Sequence, residues 1–239
     1  MREIRFEKID STNNYAKSNI ENLDDRTVIH ALKQTSGRGR LNRSWVDLGE
    51  GNLFMSVVLK PPYEFHEVFA NLTQYFSVCL CEVLESYGVQ TQIKWPNDVL
   101  INGKKIAGIL SESVMQGGNF KGIILGAGVN LNSTQDKVDA IPDKIATALN
   151  LETDSDVDIN NFRSALLEKF FSGYDEFLKC GFEMIKTEYI SRNCFIGKDL
   201  NIQVFDHVES GFAKSVNDRG ELILKKEDKD FVLTIGDIL

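Results

Sequence analysis

The sequence predicts an α+β protein in which a mixed sheet flanked by helices is followed by a small all-β domain. Several short segments in the first half alternate or cluster apolar residues as strands do, whereas one long segment repeats them at helical spacing. After about residue 194 the pattern changes to short strands separated by glycines. The chain has 239 residues, of which 42% are hydrophobic, so it can bury a sizeable core. We expect two domains, residues 1–193 and 194–239.

The first elements are a strand, a short helix and two more strands. Alternating charged and apolar residues predict a strand over residues 2–9. Asp10, Ser11 and Asn13 then offer side chains that can cap a short helix near Tyr15. Further strands are expected over residues 27–32 and 52–60. The second of these should stop at Pro61, because proline lacks the backbone donor that a strand needs.

A long helix and a run of strands are expected next. Residues 64–87 lack glycine and proline and repeat apolar side chains at helical spacing, and Gly88 follows as a stop. Short strands are predicted over residues 91–94, 99–101, 106–111 and 121–125, with a tight turn at Asn102 and Gly103. Two more helices, over residues 160–178 and 182–192, precede the small all-β domain.

The overall charge limits the partners of this chain. The formal net charge is −8 and the isoelectric point is near 5.0, so no general field would hold the protein on DNA, RNA or an anionic membrane. No apolar run approaches the roughly 20 residues needed to cross a bilayer. The four cysteines show no metal-ligand spacing, and the chain starts without a secretion signal pattern. We expect a cytoplasmic protein with reduced thiols.

An arginine-rich segment stands out in this acidic chain. Residues 37–45 thread Arg38, Arg40 and Arg43 through two glycines and close with Trp45. Guanidinium groups bind carboxylate and phosphate oxygens bidentately, and glycines let the backbone approach a ligand closely. Trp45 could stack on a flat ring. The segment therefore suggests an anion site, although a solvated basic turn would show the same composition.

A second candidate segment follows a predicted strand. Residues 94–98 read Lys-Trp-Pro-Asn-Asp, and the proline makes the chain turn, so that these side chains project from the end of a sheet. Lys94 could act there as a fixed positive charge. An isolated lysine before a turn is more often an ordinary surface residue, and only the neighbouring motifs favour a functional role.

Other nucleotide-binding and metal-binding patterns are absent from the sequence. Residues 126–130 read Gly-Ala-Gly-Val-Asn, but Leu131 follows and no helix pattern opens there, which argues against a dinucleotide-binding fold. No glycine-rich loop ends in Gly-Lys-Ser or Gly-Lys-Thr. The histidines lie in unrelated settings and are expected to be structural: His30, His66 and His207.

Taken together, the motifs resemble those of biotin protein ligases in order and spacing. The resemblance extends from about residue 4 to the end of the chain. It implies a class II synthetase-like (biotin/lipoate ligase) catalytic domain and a C-terminal SH3-like barrel. Bifunctional members carry a winged helix-turn-helix ahead of the first motif, where this chain has ten residues, so we expect a monofunctional ligase without DNA binding. The segments that carry the resemblance are residues 11–13, 34–40, 43–45, 94–98, 105–110 and 126–130.

The resemblance also implies a reaction. Biotin and ATP would form biotinyl-5′-AMP and pyrophosphate, with Mg²⁺ on the triphosphate. The biotinyl group would then pass to a lysine of a biotin carboxyl carrier protein, that of acetyl-CoA carboxylase or a similar carboxylase. Both steps bring negative charges together, so fixed cations should supply much of the catalysis. Lys94 and Arg40 would be the catalytic residues.

By the same resemblance, residues of several segments are assigned to the substrates. Those assigned to biotin are Ser11, Thr12, Asn13, Gln34, Gly37, Arg38, Gly39, Arg40, Lys94, Gly108, Gly126 and Gly128. Those assigned to ATP are Arg40, Arg43, Trp45, Lys94, Asn97 and Asn130. Purely structural roles remain open for two groups, since residues 11–13 could simply cap a helix and the glycines could simply allow close packing. No Mg²⁺ ligands are assigned.

Related ligases have a flexible loop that closes over the adenylate. Here Gln116, Gly117, Gly118 and Asn119 have the glycine content for such a lid, and we expect them to become ordered when the adenylate forms. Two alternatives to a biotin ligase stay open: a lipoate or octanoate ligase, and a non-catalytic biotin-binding regulator. A homodimer is possible.

Overall fold

The computed structural model describes residues 2–40, 43–62, 67–142 and 145–239. A seven-stranded mixed sheet forms the larger part, in the order β1-β2-β3-β7-β6-β5-β4, with only the β1–β2 pair parallel among its described strands. Its strands are β1 (Glu3–Phe6), β2 (Val28–Ala31), β3 (Leu53–Leu59), β4 (Thr91–Lys94), β5 (Asp98–Ile101), β6 (Lys104–Gln116) and β7 (Asn119–Val129).

Helices cover both faces of this sheet. They are α1 (Thr12–Ser18), α2 (Leu72–Glu85), α3 (Gln135–Asp139), α4 (Leu149–Thr153), α5 (Ile159–Cys180) and α6 (Lys186–Ser191). Short 3₁₀ turns occupy Ile20–Asn22, Glu67–Asn71 and Gly181–Met184. The helix predicted over residues 64–87 is confirmed from residue 67, as a 3₁₀ turn followed by α2, and its first residues, including His66, lie outside the described residues. No described helix has the length and apolarity to span a membrane.

Alternating side chains give the sheet two apolar faces. Ile29, Val58 and Ile124 pack on the side of α1, in a small cluster with Ala16. Their sequence neighbours on the strands point the other way, into the main core beneath α2 and α5. The two long helices meet there through stacked and tilted aromatic rings, among them Tyr75 and Phe177 at 4.5 Å between centroids.

The hairpin of β6 and β7 is longer than the sequence suggested. Strands were expected over residues 106–111 and 121–125, but pairing continues to Gln116 and Asn119, with a shift of register between Val114 and Met115. Near the turn, most side chains of both strands are exposed or half-buried. The apolar pattern in the sequence therefore predicted only the buried parts of the two strands. The helix expected over residues 182–192 is also shorter, since a 3₁₀ turn replaces its first part.

The C-terminal part is a five-stranded antiparallel sheet in the order β11-β10-β9-β8-β12, as expected for an SH3-like domain. Its strands are β8 (Asp199–Val204), β9 (His207–Val216), β10 (Leu222–Lys226), β11 (Lys229–Leu233) and β12 (Asp237–Ile238). Apolar residues of this sheet, such as Ile202 and Leu224, belong to the same core cluster as α2 and α5. The division at residue 194 stays a prediction.

Hydrogen bonds also join the small sheet to the larger part. The turn between β9 and β10 lies against α2, where Gln74 donates to the Gly220 carbonyl at 2.8 Å and Asn71 donates to the Arg219 carbonyl at 2.8 Å. Trp95 Nε1 also donates to the Gly220 carbonyl, at 3.3 Å. This contact fixes the small sheet next to Lys94, the neighbour of Trp95.

Candidate active site

A row of glycines on β6 and β7 opens a cleft on the α1 side of the sheet. Gly108 pairs directly with Gly128 across the two strands, and Gly126 pairs with Leu110. A Cβ on Gly126 would lie 2.9 Å from Asn13 Cγ, and one on Gly128 would lie 2.7 Å from Trp45 Nε1. Both glycines therefore allow close approach, as expected, but protein side chains occupy the space that they leave.

The cleft lies between the start of α1, the arginine loop and this row of glycines. Its enclosed volume is about 30 Å³, because the Asn13 and Trp45 side chains fill the space beside the glycines. Most of the residues that the sequence assigned to biotin line it, together with apolar side chains that sequence reasoning missed. Its lining is Ser11, Thr12, Asn13, Gln34, Arg38, Trp45, Met55, Gly108, Leu110, Gly126, Ala127 and Gly128. Apart from Arg38, which pairs with Glu112, the lining is apolar or neutral and polar, which is the chemistry that a small uncharged ring needs.

A hydrogen-bond relay fixes the polar side chains at the start of α1. Ser11 caps the helix, its side chain accepting from the Asn14 backbone N–H, so the cap predicted from sequence is present. Gln34 Oε1 accepts from the backbone N–H of Thr12 at 2.8 Å and from its hydroxyl at 3.2 Å. Ser56 Oγ lies 2.8 Å from Thr12 Oγ1 and 2.5 Å from Asn13 Oδ1. These donors and acceptors are held in place before any ligand arrives.

Glu112 on β6 completes this relay and was missed from the sequence. Its carboxylate accepts from Asn13 Nδ2 at 3.0 Å and from Lys17 at 2.9 Å, and it forms an ion pair with Arg38 at 3.2 Å. Burial opposes ionisation, but hydrogen bonds from Asn13 and Lys17 outweigh it and lower the pKa of Glu112. The one feature of the sequence that could have pointed to Glu112 was an acidic residue within a mostly apolar strand. Glu112 thereby links Arg38 to the start of α1.

Trp45 lies across the glycine row. A Cβ on Gly108 would meet Trp45 Cζ3 at 2.8 Å, so the ring packs flush against both strands. The indole Nε1 is buried and has no hydrogen-bond acceptor among the described residues. Lys105 lies with its ammonium 5.5 Å from the ring centroid and forms an ion pair with Asp98 at 2.7 Å. That the ring covers a flat group such as adenine stays a prediction.

Arg40 and Arg43 converge on one carboxylate from the C-terminal sheet. Asp237 on β12 forms ion pairs with Arg40 at 3.1 Å and with Arg43 at 2.9 Å. Arg40 also donates to Asn97 Oδ1 at 3.1 Å. Burial lowers the pKa of Arg40, and the nearby Asp237 opposes that effect. Arg40, Arg43 and Asn97, which the sequence assigned to ATP, lie together in the structure, whereas Asp237 was not predicted.

The arginine loop is held by its own backbone. The Gly39 N–H donates to the Arg43 carbonyl at 2.7 Å, and the Trp45 N–H donates to the Gly37 carbonyl at 2.9 Å. A Cβ on Gly37 would lie 2.7 Å from the Trp45 carbonyl oxygen. Gly37 therefore permits a close approach of two backbone segments. Gly37 and Gly39 shape the loop but do not line the cleft.

Lys94 ends β4 beside the same cluster. Its Cα pairs with that of Asp98 on β5, and the Trp95–Pro96 peptide bond is cis. In the described parts of the chain, no ion pair involves the Lys94 ammonium, and its side chain is half-buried. Asn97 is anchored by donating to the Ile109 carbonyl at 2.8 Å. Lys94 is therefore a positive charge that an anion could meet.

Asn130 is placed differently from the other residues assigned to ATP. It is buried after β7, and its side chain donates to the Thr147 carbonyl at 3.0 Å. It does not line the cleft. A contact between Asn130 and a nucleotide stays a prediction for the bound protein. Across the described residues, no cluster of His, Cys, Asp and Glu side chains suits a metal ion, and Mg²⁺ ligands remain unassigned.

The predicted lid requires a correction. Gln116 and Asn119 pair across the end of the β6–β7 hairpin, and Gly117 and Gly118 form its two-residue turn with φ of +57° and +81°. From Leu110, the cleft residue of β6 nearest to this turn, the strand runs about 23 Å to Gly117 at about 3.3 Å per residue. The expectation that these residues cover the adenylate is therefore wrong, because their glycines serve a hairpin turn far from the cleft.

The chain thus combines an α+β domain with a cationic loop beside a polar cleft. A family model described as the biotin/lipoate A/B protein ligase family matches residues 5–130, and the chain belongs to that family. A biotin–[acetyl-CoA-carboxylase] ligase of Paracoccus denitrificans is 30% identical over 222 residues, covering 91% of this chain and 92% of the relative.

Two further relatives are informative. The bifunctional ligase/repressor BirA of Bacillus spizizenii is 32% identical over 208 residues, which cover 87% of this chain and 64% of the relative. The chain thus spans less than two thirds of that protein. Among solved structures, the biotin protein ligase from Aquifex aeolicus in complex with biotin and ATP superimposes with a TM-score of 0.85 at 26% identity, covering 100% of this chain and 97% of that one.

Proposed function

We propose that this protein is an ATP-dependent biotin protein ligase. It forms biotinyl-5′-AMP and pyrophosphate from biotin and ATP, and then transfers biotin to a lysine of a carboxylase carrier domain. The observation that carries the proposal is the convergence of Arg40 and Arg43 at one place beside a neutral polar cleft. The likeness to a solved ligase complex with biotin and ATP supports it.

The cleft suits the biotin ring system. The ureido ring is uncharged, so it needs hydrogen bonds rather than ion pairs, and Ser11, Thr12, Asn13 and Gln34 supply them from fixed positions. Apolar side chains such as Met55 suit the sulfur-containing ring and its alkyl chain. We assign biotin to this cleft, with its carboxylate directed toward the cationic cluster.

The cationic cluster suits the adenylation step. The biotin carboxylate attacks the α-phosphorus of ATP and pyrophosphate leaves, so negative charge gathers on the oxygens around phosphorus. Lys94 and Arg40 lie at the strand end and the loop where that charge would form, and fixed cations stabilise it without reorganisation. Arg43 meets the phosphates, and Trp45 covers the adenine. Mg²⁺ accompanies the triphosphate and neutralises part of its charge.

In the second step, the lysine amine of a carrier attacks the mixed anhydride and AMP leaves. The Paracoccus relative is named for acetyl-CoA carboxylase, and we propose the carrier domain of such a carboxylase as the partner. Lipoate is a competing acid, because the family description includes lipoate ligases, and octanoate is tested beside it.

Intact-mass spectrometry of a purified carrier domain tests the proposal directly. The carrier is incubated with enzyme, MgATP and one of the three acids. We expect the mass increase of biotin only, and none on a carrier whose target lysine is replaced by arginine. A carrier that gains lipoate or octanoate instead would contradict the biotin assignment. Biotin binding without any transfer would favour a regulator.

A further inference from the structure

The last strand of the chain reaches into the proposed nucleotide site. Asp237 belongs to β12, which is held in the C-terminal sheet by antiparallel pairing with β8 and by the Leu239 N–H donating to the Asn201 carbonyl at 2.9 Å. Its side chain is only 12% exposed. One carboxylate oxygen faces Arg40 and the other faces Arg43. The backbone pairing of β12 therefore holds the Asp237 carboxylate in position independently of the two arginines.

The contacts of Arg40 are concentrated on one of its nitrogens. Nη1 lies 3.1 Å from Asn97 Oδ1, 3.2 Å from the Gly236 carbonyl oxygen and 3.1 Å from Asp237 Oδ1. A guanidinium has five N–H donors, of which Nη1 carries two. No residue described in the structure accepts a hydrogen bond from Nε or Nη2 of Arg40. The protein contacts of Arg40 therefore involve Nη1, and the N–H groups of Nε and Nη2 are available to a ligand.

Asp237 also reduces the electrostatic repulsion between Arg40 and Arg43. Two guanidinium groups that approach the same point repel each other, and the repulsion is stronger where Arg40 is buried. A carboxylate between them offsets part of that repulsion, and the three groups together keep a net positive charge for an anion. Further contacts hold the C-terminal sheet in this position, among them the hydrogen bonds that the Gly220 carbonyl accepts from Gln74 and Trp95.

From this arrangement we infer that Asp237 is a positioning residue for ATP: it holds Arg40 and Arg43 in the geometry that receives the phosphates. The inference rests on the proposed function, because it takes the phosphates of ATP as the anion. The C-terminal sheet thereby completes the nucleotide site of the larger domain. The competing possibility is that the Asp237 carboxylate occupies the place of a phosphate and must be displaced by ATP.

The two possibilities predict opposite changes in the Asp237→Asn variant. This substitution keeps the shape and one acceptor oxygen but removes the charge. The matched control is Asp230→Asn, which removes a carboxylate that pairs with Lys214 on the same sheet. Biotin-dependent exchange of labelled pyrophosphate into ATP gives the KM for each substrate. We expect the KM for ATP to rise about tenfold in Asp237→Asn, as for the loss of one charged contact, with the KM for biotin within about twofold. Asp230→Asn should match the wild type.

A second readout does not depend on activity. ¹⁵N relaxation of the arginine Nε–Hε groups reports side-chain order, and Arg40 should become more mobile in Asp237→Asn but not in Asp230→Asn. An ATP KM that is unchanged or lower in Asp237→Asn overturns the inference. If the wild type shows no exchange, the proposed function is wrong. Unchanged mobility of Arg40 in Asp237→Asn overturns the positioning role, whatever the exchange assay shows.

Discussion

Replacing Gly128 with alanine tests how Trp45 is seated. The added Cβ would lie 2.7 Å from Trp45 Nε1 and 2.8 Å from Trp45 Cζ2, whereas unstrained contacts between carbon atoms lie at about 3.5–4.0 Å. The ring must therefore withdraw by roughly 1 Å from the strand. Overpacking of this kind lowers the free energy of unfolding by about 1–3 kcal/mol. Denaturant unfolding of wild type and Gly128→Ala measures that loss.

The Trp45→Ala background supplies the control. The three atoms nearest to the new methyl group all belong to Trp45, so without the indole ring the added cost of Gly128→Ala should become much smaller. Fluorescence reports the displacement, because the chain has two tryptophans and the other, Trp95, is buried. A red shift of emission is expected in Gly128→Ala. If Gly128→Ala lowers the free energy of unfolding equally in the wild type and in Trp45→Ala, the packing described for Trp45 is refuted.

Three further outcomes follow from the structure. Glu112→Gln should be less stable than the wild type by about 1–3 kcal/mol at pH 7. Because folding lowers the pKa of Glu112, this stabilisation is present at neutral pH and is lost as the pH falls below 4.5 through the lowered value; a gap that stays constant in acid would contradict it. Gly117→Asn, which suits the positive φ of the hairpin turn, should leave retention of the adenylate in a single-turnover assay unchanged, and leakage would restore the lid hypothesis. A maleimide should label the exposed Cys180 first at pH 7, whereas burial raises the pKa of Cys79 to about 12 and should protect it; mass spectrometry of peptides would reveal the reverse order.

Local sequence patterns were enough for the elements whose signals are local. The apolar spacing of α2 and the capping side chain of Ser11 each depend on residues a few positions apart. The glycines of β6 and β7 were also recognised, since their motifs are short. What those glycines accommodate was not predictable, because the Asn13 and Trp45 side chains reach them from distant parts of the chain.

The contacts that organise the site are long-range, and this is why they escaped the sequence. Asn13 and Glu112 are 99 positions apart, and Arg40 and Gly236 are 196 positions apart. No periodicity or spacing rule relates such residues. At Gly117 a local pattern was misleading. Two adjacent glycines suggested a mobile lid, but β6 and β7 pair with each other right up to these glycines, which form the turn between them.

In the proposed reaction, Lys94 helps this site to join biotin to AMP. Biotin-dependent exchange of labelled pyrophosphate into ATP tests this role, with wild type, Lys94→Ala and a parallel reaction containing lipoate. We predict exchange with biotin alone, reduced by at least about a hundredfold in Lys94→Ala, as expected for the loss of a cation that stabilises the transition state. Exchange with lipoate instead of biotin, no exchange with either acid, or full activity in Lys94→Ala would contradict the account.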